Sequence, residues 1–146
     1  MTNPRETHEA STSISVRAPL SAVWTALTDP AIVKRYFFDT DLVTDWKVGA
    51  PLFFRGAYEG KVYEDRGTVL AFEPMRRLSF DYWSSMSGLE DRPELRQVIA
   101  YELFEKDGAV EIGITQSNVD TAERAQHSVD NWKVVLQAMK KLLEDG

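Results

Sequence analysis

The side chains able to do acid–base, nucleophilic or metal chemistry are few in these 146 residues, and they are poorly spaced for it. There is no cysteine, so disulfides, thiolate metal sites and a thiol nucleophile are excluded together. The two histidines are His8, in a stretch read as a tail, and His127, on the polar side of a C-terminal helix. Two separated imidazoles do not make a transition-metal site. No G-x-S-x-G, P-loop or G-x-G-x-x-G occurs, which leaves hydrolase, NTPase and dinucleotide chemistry without a motif. Asp39, Asp41 and Asp45 lack the glycine and closing glutamate of a calcium loop and read as solvated turn residues. On this reading the chain has no catalytic residue, no metal ligand and no cofactor.

What remains is aromatic. Phe54, Phe80, Tyr82, Tyr101 and Trp132, with Ile112 and Leu136, could line an apolar pocket in which tyrosine hydroxyls orient a ligand. The alternative is a filled core with the hydroxyls at its rim. Arg96, Gln97 and Gln116 fall at strand ends, where they either place polar groups at a pocket mouth or face water. An enzyme would need an inward acid or base. The tyrosines qualify, whereas Asp81 has the wrong strand parity. The chain therefore reads as a binder of an apolar small molecule rather than an enzyme, and a buried carboxylate facing the pocket would reopen the question.

These residues need elements to hold them. The one long amphipathic run is Asp120 to Leu143, where Ala122, Ala125, Val129, Trp132, Leu136, Met139 and Leu143 recur every three or four residues. Val135 and Leu142 widen the stripe. Asp120 followed by Glu123 predicts a capping-box start. Upstream, Thr12, Ile14 and Val16 alternate as a strand. Leu20, Val23, Trp24 and Leu27 mark one short helix, and Asp29-Pro30 starts a second that buries Ile32, Val33 and Tyr36. Alternation then predicts a strand at Leu52–Arg55 and a longer one over Lys61–Phe72, bent at Asp65-Arg66-Gly67. A further strand carries Leu78, Phe80 and Tyr82. After a long loop over 84–93 comes a hairpin, with Ile99, Tyr101 and Leu103 leading into Asp107-Gly108 and Val110, Ile112 and Ile114 leading out.

Strands joined by short turns pair as an antiparallel meander with one face to bury, and the helix stripe is the available cover. The expected inner face is Leu70, Phe72, Leu78, Phe80, Tyr82, Ile99, Tyr101, Leu103, Val110, Ile112 and Ile114. Residues 1–11 read as a flexible tail and 12–146 as one domain. A net charge of −6 argues against nucleic acid and anionic membrane, and no apolar run is long enough to span a bilayer. The polar start carries no signal-peptide core, so a soluble, cytoplasmic protein is expected.

The segment Ile14-Ser-Val-Arg-Ala-Pro-Leu-Ser-Ala-Val-Trp-Thr-Ala-Leu-Thr-Asp-Pro30 resembles the opening of the START-like (SRPBCC) helix-grip domains. Gly67-Thr-Val-Leu-Ala-Phe-Glu-Pro-Met-Arg-Arg-Leu78 resembles a G-x-V-L-x-x-E-P-x-x-R-L stretch of the branch named after the C-terminal half of the activator of the HSP-90 ATPase. Asn131-Trp132 is similar to that family's long-helix tryptophan. The resemblance implies an α+β helix-grip fold, with a curved antiparallel sheet of about six strands around a long C-terminal helix and two short helices after the first strand. For function it implies the superfamily's range of carriers, sensors and aromatase or cyclase enzymes, or a co-chaperone partnership with HSP-90. The activator's principal chaperone contacts belong to a separate N-terminal domain for which 146 residues leave no room, so the co-chaperone role stands second.

Overall fold

Alternating strands and positive-φ turns lay out the chain before packing does. In the computed structural model, which describes residues 7–85 and 87–145, strand β1 (His8–Val16) leads to helices α1 (Leu20–Thr28) and α2 (Pro30–Tyr36). Strands β2 (Asp41–Val43), β3 (Pro51–Tyr58), β4 (Lys61–Glu73), β5 (Arg77–Tyr82), β6 (Gln97–Lys106) and β7 (Ala109–Val119) follow, and helix α3 (Ala122–Asp145) closes the chain. The seven strands form one antiparallel sheet in the order β1-β7-β6-β5-β4-β3-β2. The fold is therefore α+β of the helix-grip type, with one strand more than expected.

Four local readings need correction. Strand β1 begins at His8 rather than Thr12, because Ala10 pairs with Gln116 and is buried. Residues 8–11 therefore belong to the sheet; of the rest of the expected tail, Thr7 is irregular and exposed, and 1–6 lie outside the described residues. His8 accordingly sits in a strand. The extra strand, β2, is only three residues long and pairs with Phe53–Arg55, too short to leave a periodic trace. In β4 the irregularity falls between Val69 and Ala71 rather than at Asp65–Gly67. That one-residue slip reverses the parity, so Val69 is 1% exposed while Leu70, assigned to the inner face, is 43% exposed. Beyond it Phe72 turns inward again and packs between Trp24 and Trp46. Finally, α3 is capped by Thr121 and not Asp120: Thr121 Oγ1 accepts from the Arg124 N–H at 3.0 Å, and its carbonyl takes the Ala125 N–H.

The Asp107-Gly108 turn has φ values of 53° and 78°, as a type I′ hairpin requires. Glu59-Gly60 repeats that geometry between β3 and β4. Helix α3 lays Ala125, Trp132, Val135, Leu136 and Met139 on the concave face, while Ala122 at its start stays exposed. The core they close includes Phe80, Ile99, Tyr101, Ile112 and Ile114 from the sheet, with Val23, Trp24, Leu27 and Tyr36 from the short helices.

Candidate functional site: an aromatic circuit with a polar band

The concave face carries two kinds of side chain at its broad end. Five aromatic rings form a closed circuit with neighbouring centroids 5.6–6.1 Å apart: Phe37 to Phe54, Phe54 to Phe80, Phe80 to Tyr101, Tyr101 to Trp132, and Trp132 back to Phe37. The Phe37 and Phe54 rings are stacked, whereas Trp132 meets both Phe37 and Tyr101 edge-on. Such pairs hold together by more than buried area, since the ring edge is electropositive and the face electronegative. Tyr82 joins the circuit through Phe54, at 6.0 Å.

Four members of the circuit are buried on strands or α3, and Phe37 is only half-buried. It follows α2, where its N–H still bonds Val33, and the next two residues, Phe38 and Asp39, have φ of 49° and 55°. Side chains with a Cβ rarely adopt that region. Phe37 is thus the one circuit ring carried by a turn, and the one at the surface.

Polar groups form a row across adjacent strands at the same end. On β4, Asp65 is 7% exposed and points inward. One carboxylate oxygen accepts the Tyr82 hydroxyl at 2.5 Å, and the other accepts the backbone N–H and hydroxyl of Ser85 at 2.9 and 3.1 Å. Burial, and then the neighbouring Asp65 charge, push the Tyr82 pKa well above the usual tyrosine value, so Tyr82 remains a proton-bearing donor. Tyr82 pairs with Gln97 on β6. Gln97 accepts from the side-chain amide of Gln116 on β7, whose own oxygen accepts the Trp132 indole N–H at 2.8 Å. The row therefore runs Asp65, Tyr82, Gln97, Gln116 and ends on α3. Nearby, the Tyr63 and Thr40 hydroxyls lie 2.6 Å apart.

The predicted residues divide clearly. Phe54, Phe80, Tyr82, Tyr101, Ile112, Trp132 and Leu136 all belong to or pack against one core cluster, and every aromatic among them is part of or adjoins the circuit. Leu136 also borders a surface recess of about 410 Å³ between β1 and α3. Gln97 and Gln116 belong to the polar row, and Gln116 lies buried under Trp132 rather than at a mouth. Arg96 does not join them. Its guanidinium turns to the opposite sheet face, pairing with Asp91 at 2.7 Å and Asp81 at 2.9 Å. Asp41 pairs with Lys34, and the Asp45 carboxylate accepts the Lys47 N–H. Two members escaped sequence reasoning: Phe37, in a stretch of mixed polarity, and Asp65, placed in a bend that lies elsewhere. Counting back from Val69 in steps of two would have turned Asp65 inward.

A sheet gripping one long helix over an aromatic core defines the helix-grip class. Within it, the sequence profile described as "Activator of Hsp90 ATPase homolog 1-like protein" matches residues 17–144, and the chain belongs to that family. No curated protein matches the sequence. Among solved structures, ChR145 from Cytophaga hutchinsonii is 38% identical, with a TM-score of 0.81 and 94% of each chain covered. The Aha1 dimer from Colwellia psychrerythraea is 19% identical with a TM-score of 0.73, covering 94% of this chain and 96% of that one. DynU16, a putative protein in the dynemicin biosynthetic locus, is 21% identical with a TM-score of 0.78. The match covers 93% of this chain and 47% of DynU16. The last two share the fold. No helix among the described residues is long and apolar enough to cross a membrane.

Proposed function

We propose that this domain binds a small molecule with an apolar or aromatic body between the concave sheet face and α3, and that the ligand enters by displacing Phe37. The observation that carries this reading is the closed aromatic circuit, in which four rings are fixed by the fold and the fifth is held by a strained turn at the surface. A ligand ring taking the place of Phe37 would find a stacking face on Phe54 and an edge contact on Trp132 already set. The polar row beside them supplies orienting groups, as small-molecule sites commonly do. Membership of the family is compatible with ligand binding and with cyclase-like chemistry alike.

Truncation of Phe37 tests the reading. Phe37→Ala should cost about 2 kcal/mol of stability, less than a fully buried phenylalanine. It should also bind 2-methylnaphthalene more tightly than wild type. At a hundred times the dissociation constant the bound state gains roughly 2.7 kcal/mol, visible as a rise in melting temperature. No shift in either protein would end the interior-site reading and leave a partner protein, HSP-90 included, as the better proposal. A compound chemically altered by wild type but not by Asp65→Asn would make the domain an enzyme, with Asp65 and Tyr82 as its proton-exchanging pair.

A further inference from the structure

We infer that the ligand is an organic cation, an aryl group bearing an ammonium, and not a carboxylic acid; this rests on the interior site proposed above. Among the described residues, the buried polar and charged side chains are Thr40, Asp65 and Gln116, and only Asp65 carries a charge. The one buried charge is therefore negative. The cationic side chains of that end are committed elsewhere: Arg96 to Asp81 and Asp91, and Arg66 to Asp91 at 2.8 Å. Nothing cationic among the described interior groups would receive a carboxylate.

The walls point the same way. Aromatic rings attract a cation through the quadrupole, most strongly where water is excluded, and a ligand taking the volume of the Phe37 ring would lie against Phe54 and Trp132. Asp65 is held by three donors from Tyr82 and Ser85, and a carboxylate has about four acceptor sites, so it can take one more. An anion brought into the same volume would lose its hydration and meet a like charge. The net charge of −6 also favours the approach of a cation over that of an anion.

The test uses three probes sharing one ring: 1-naphthylmethylamine, 1-naphthalenemethanol and 1-naphthoic acid, titrated calorimetrically into wild type at neutral pH. The amine should bind at least about tenfold more tightly than the alcohol, and the acid more weakly than both. Asp65→Asn should bring amine and alcohol within about threefold. If Asp65→Asn does not fold, Tyr82→Phe replaces it: that change keeps the carboxylate and frees one oxygen, so the amine preference should persist or grow. Alcohol or acid binding as tightly as the amine would overturn the charge inference while leaving the interior site standing. An unchanged amine preference in Asp65→Asn, or its loss in Tyr82→Phe, would also overturn it. Failure of all three probes on both wild type and Phe37→Ala would instead remove the interior site itself.

Discussion

Gly67 and Gly108 are glycines for unlike reasons. A Cβ on Gly67 would lie 1.8 Å from the Asp81 carbonyl oxygen, so strand β4 passes β5 too closely for any side chain. A Cβ on Gly108 would meet nothing within 4 Å, and only its φ of 78° demands glycine. Gly67→Ala should therefore cost about 2–4 kcal/mol, because backbone must move and the Thr68 N–H must leave the Asp81 carboxylate it reaches at 2.7 Å. Gly108→Ala should cost about 1 kcal/mol, the ordinary penalty of the turn. Urea midpoints of the two variants separate the effects, and equal losses would contradict the close approach. The contrast also measures legibility. Asp-Gly between alternating runs announces a hairpin, whereas nothing around Gly67 reveals which backbone will press on it. Asp65 stayed hidden for a related reason: its facing depends on strand phase, and one extra residue at Leu70 shifts that phase without a compositional mark.

Among the elements, α3 was the most readable, since a stripe of apolar residues along 24 positions has no competing interpretation. Its cap is not legible in the sequence, because Asp120 and Thr121 are both good caps and only the backbone path chooses between them. Thr121→Ala should cost about 1 kcal/mol, the usual loss on removing a helix cap. Asp120→Ala should cost less. One Asp120 oxygen is buried without a hydrogen-bond partner among the described residues, and the other makes a partly exposed pair with Arg124 at 3.4 Å. Chemical denaturation of both variants decides it, and a larger loss at Asp120 would restore the capping box. The short helices and the meander followed from proline placement and alternation. Strand β2 did not, because three residues cannot show a period.

For the whole molecule, the interior is rich in phenols that the fold keeps protonated. Burial is the largest cause of the raised pKa of Tyr36, Tyr82 and Tyr101, with Asp65 adding to the effect at Tyr82. Tyr36 also donates its hydroxyl to the Ala26 carbonyl at 2.7 Å. Above the ordinary tyrosine value near 10 the unfolded chain releases these protons while the folded chain holds them, so the unfolded state binds fewer. Their contribution to stability should accordingly be intact below about pH 10 and fall as pH rises beyond it, by up to about 1.4 kcal/mol per pH unit for each tyrosine. Phenolate absorbance should show Tyr36, Tyr82 and Tyr101 ionising only as the protein unfolds. Ionisation of these three in the folded state near pH 10 would show that the interior admits water.

The strand order has a consequence for how the protein is made. Strand β1 leaves the ribosome before the other six, yet among the described residues it pairs in the sheet with β7 alone, with Val16 against Val110 and His8 against Val119. At bacterial and eukaryotic elongation speeds of about 5–20 residues per second, Val16 waits roughly 5–20 s for its partner to be synthesised. Meanwhile β3 to β6 can zip up hairpin by hairpin. An unpaired β-strand on a nascent chain is an invitation to the next chain on the same message. The sequence of that strand answers the risk: Ser11, Ser13 and Ser15 alternate with Thr12, Ile14 and Val16, so one flank stays wetted throughout the delay. The serines that look featureless in the finished fold thus give the waiting strand one polar face.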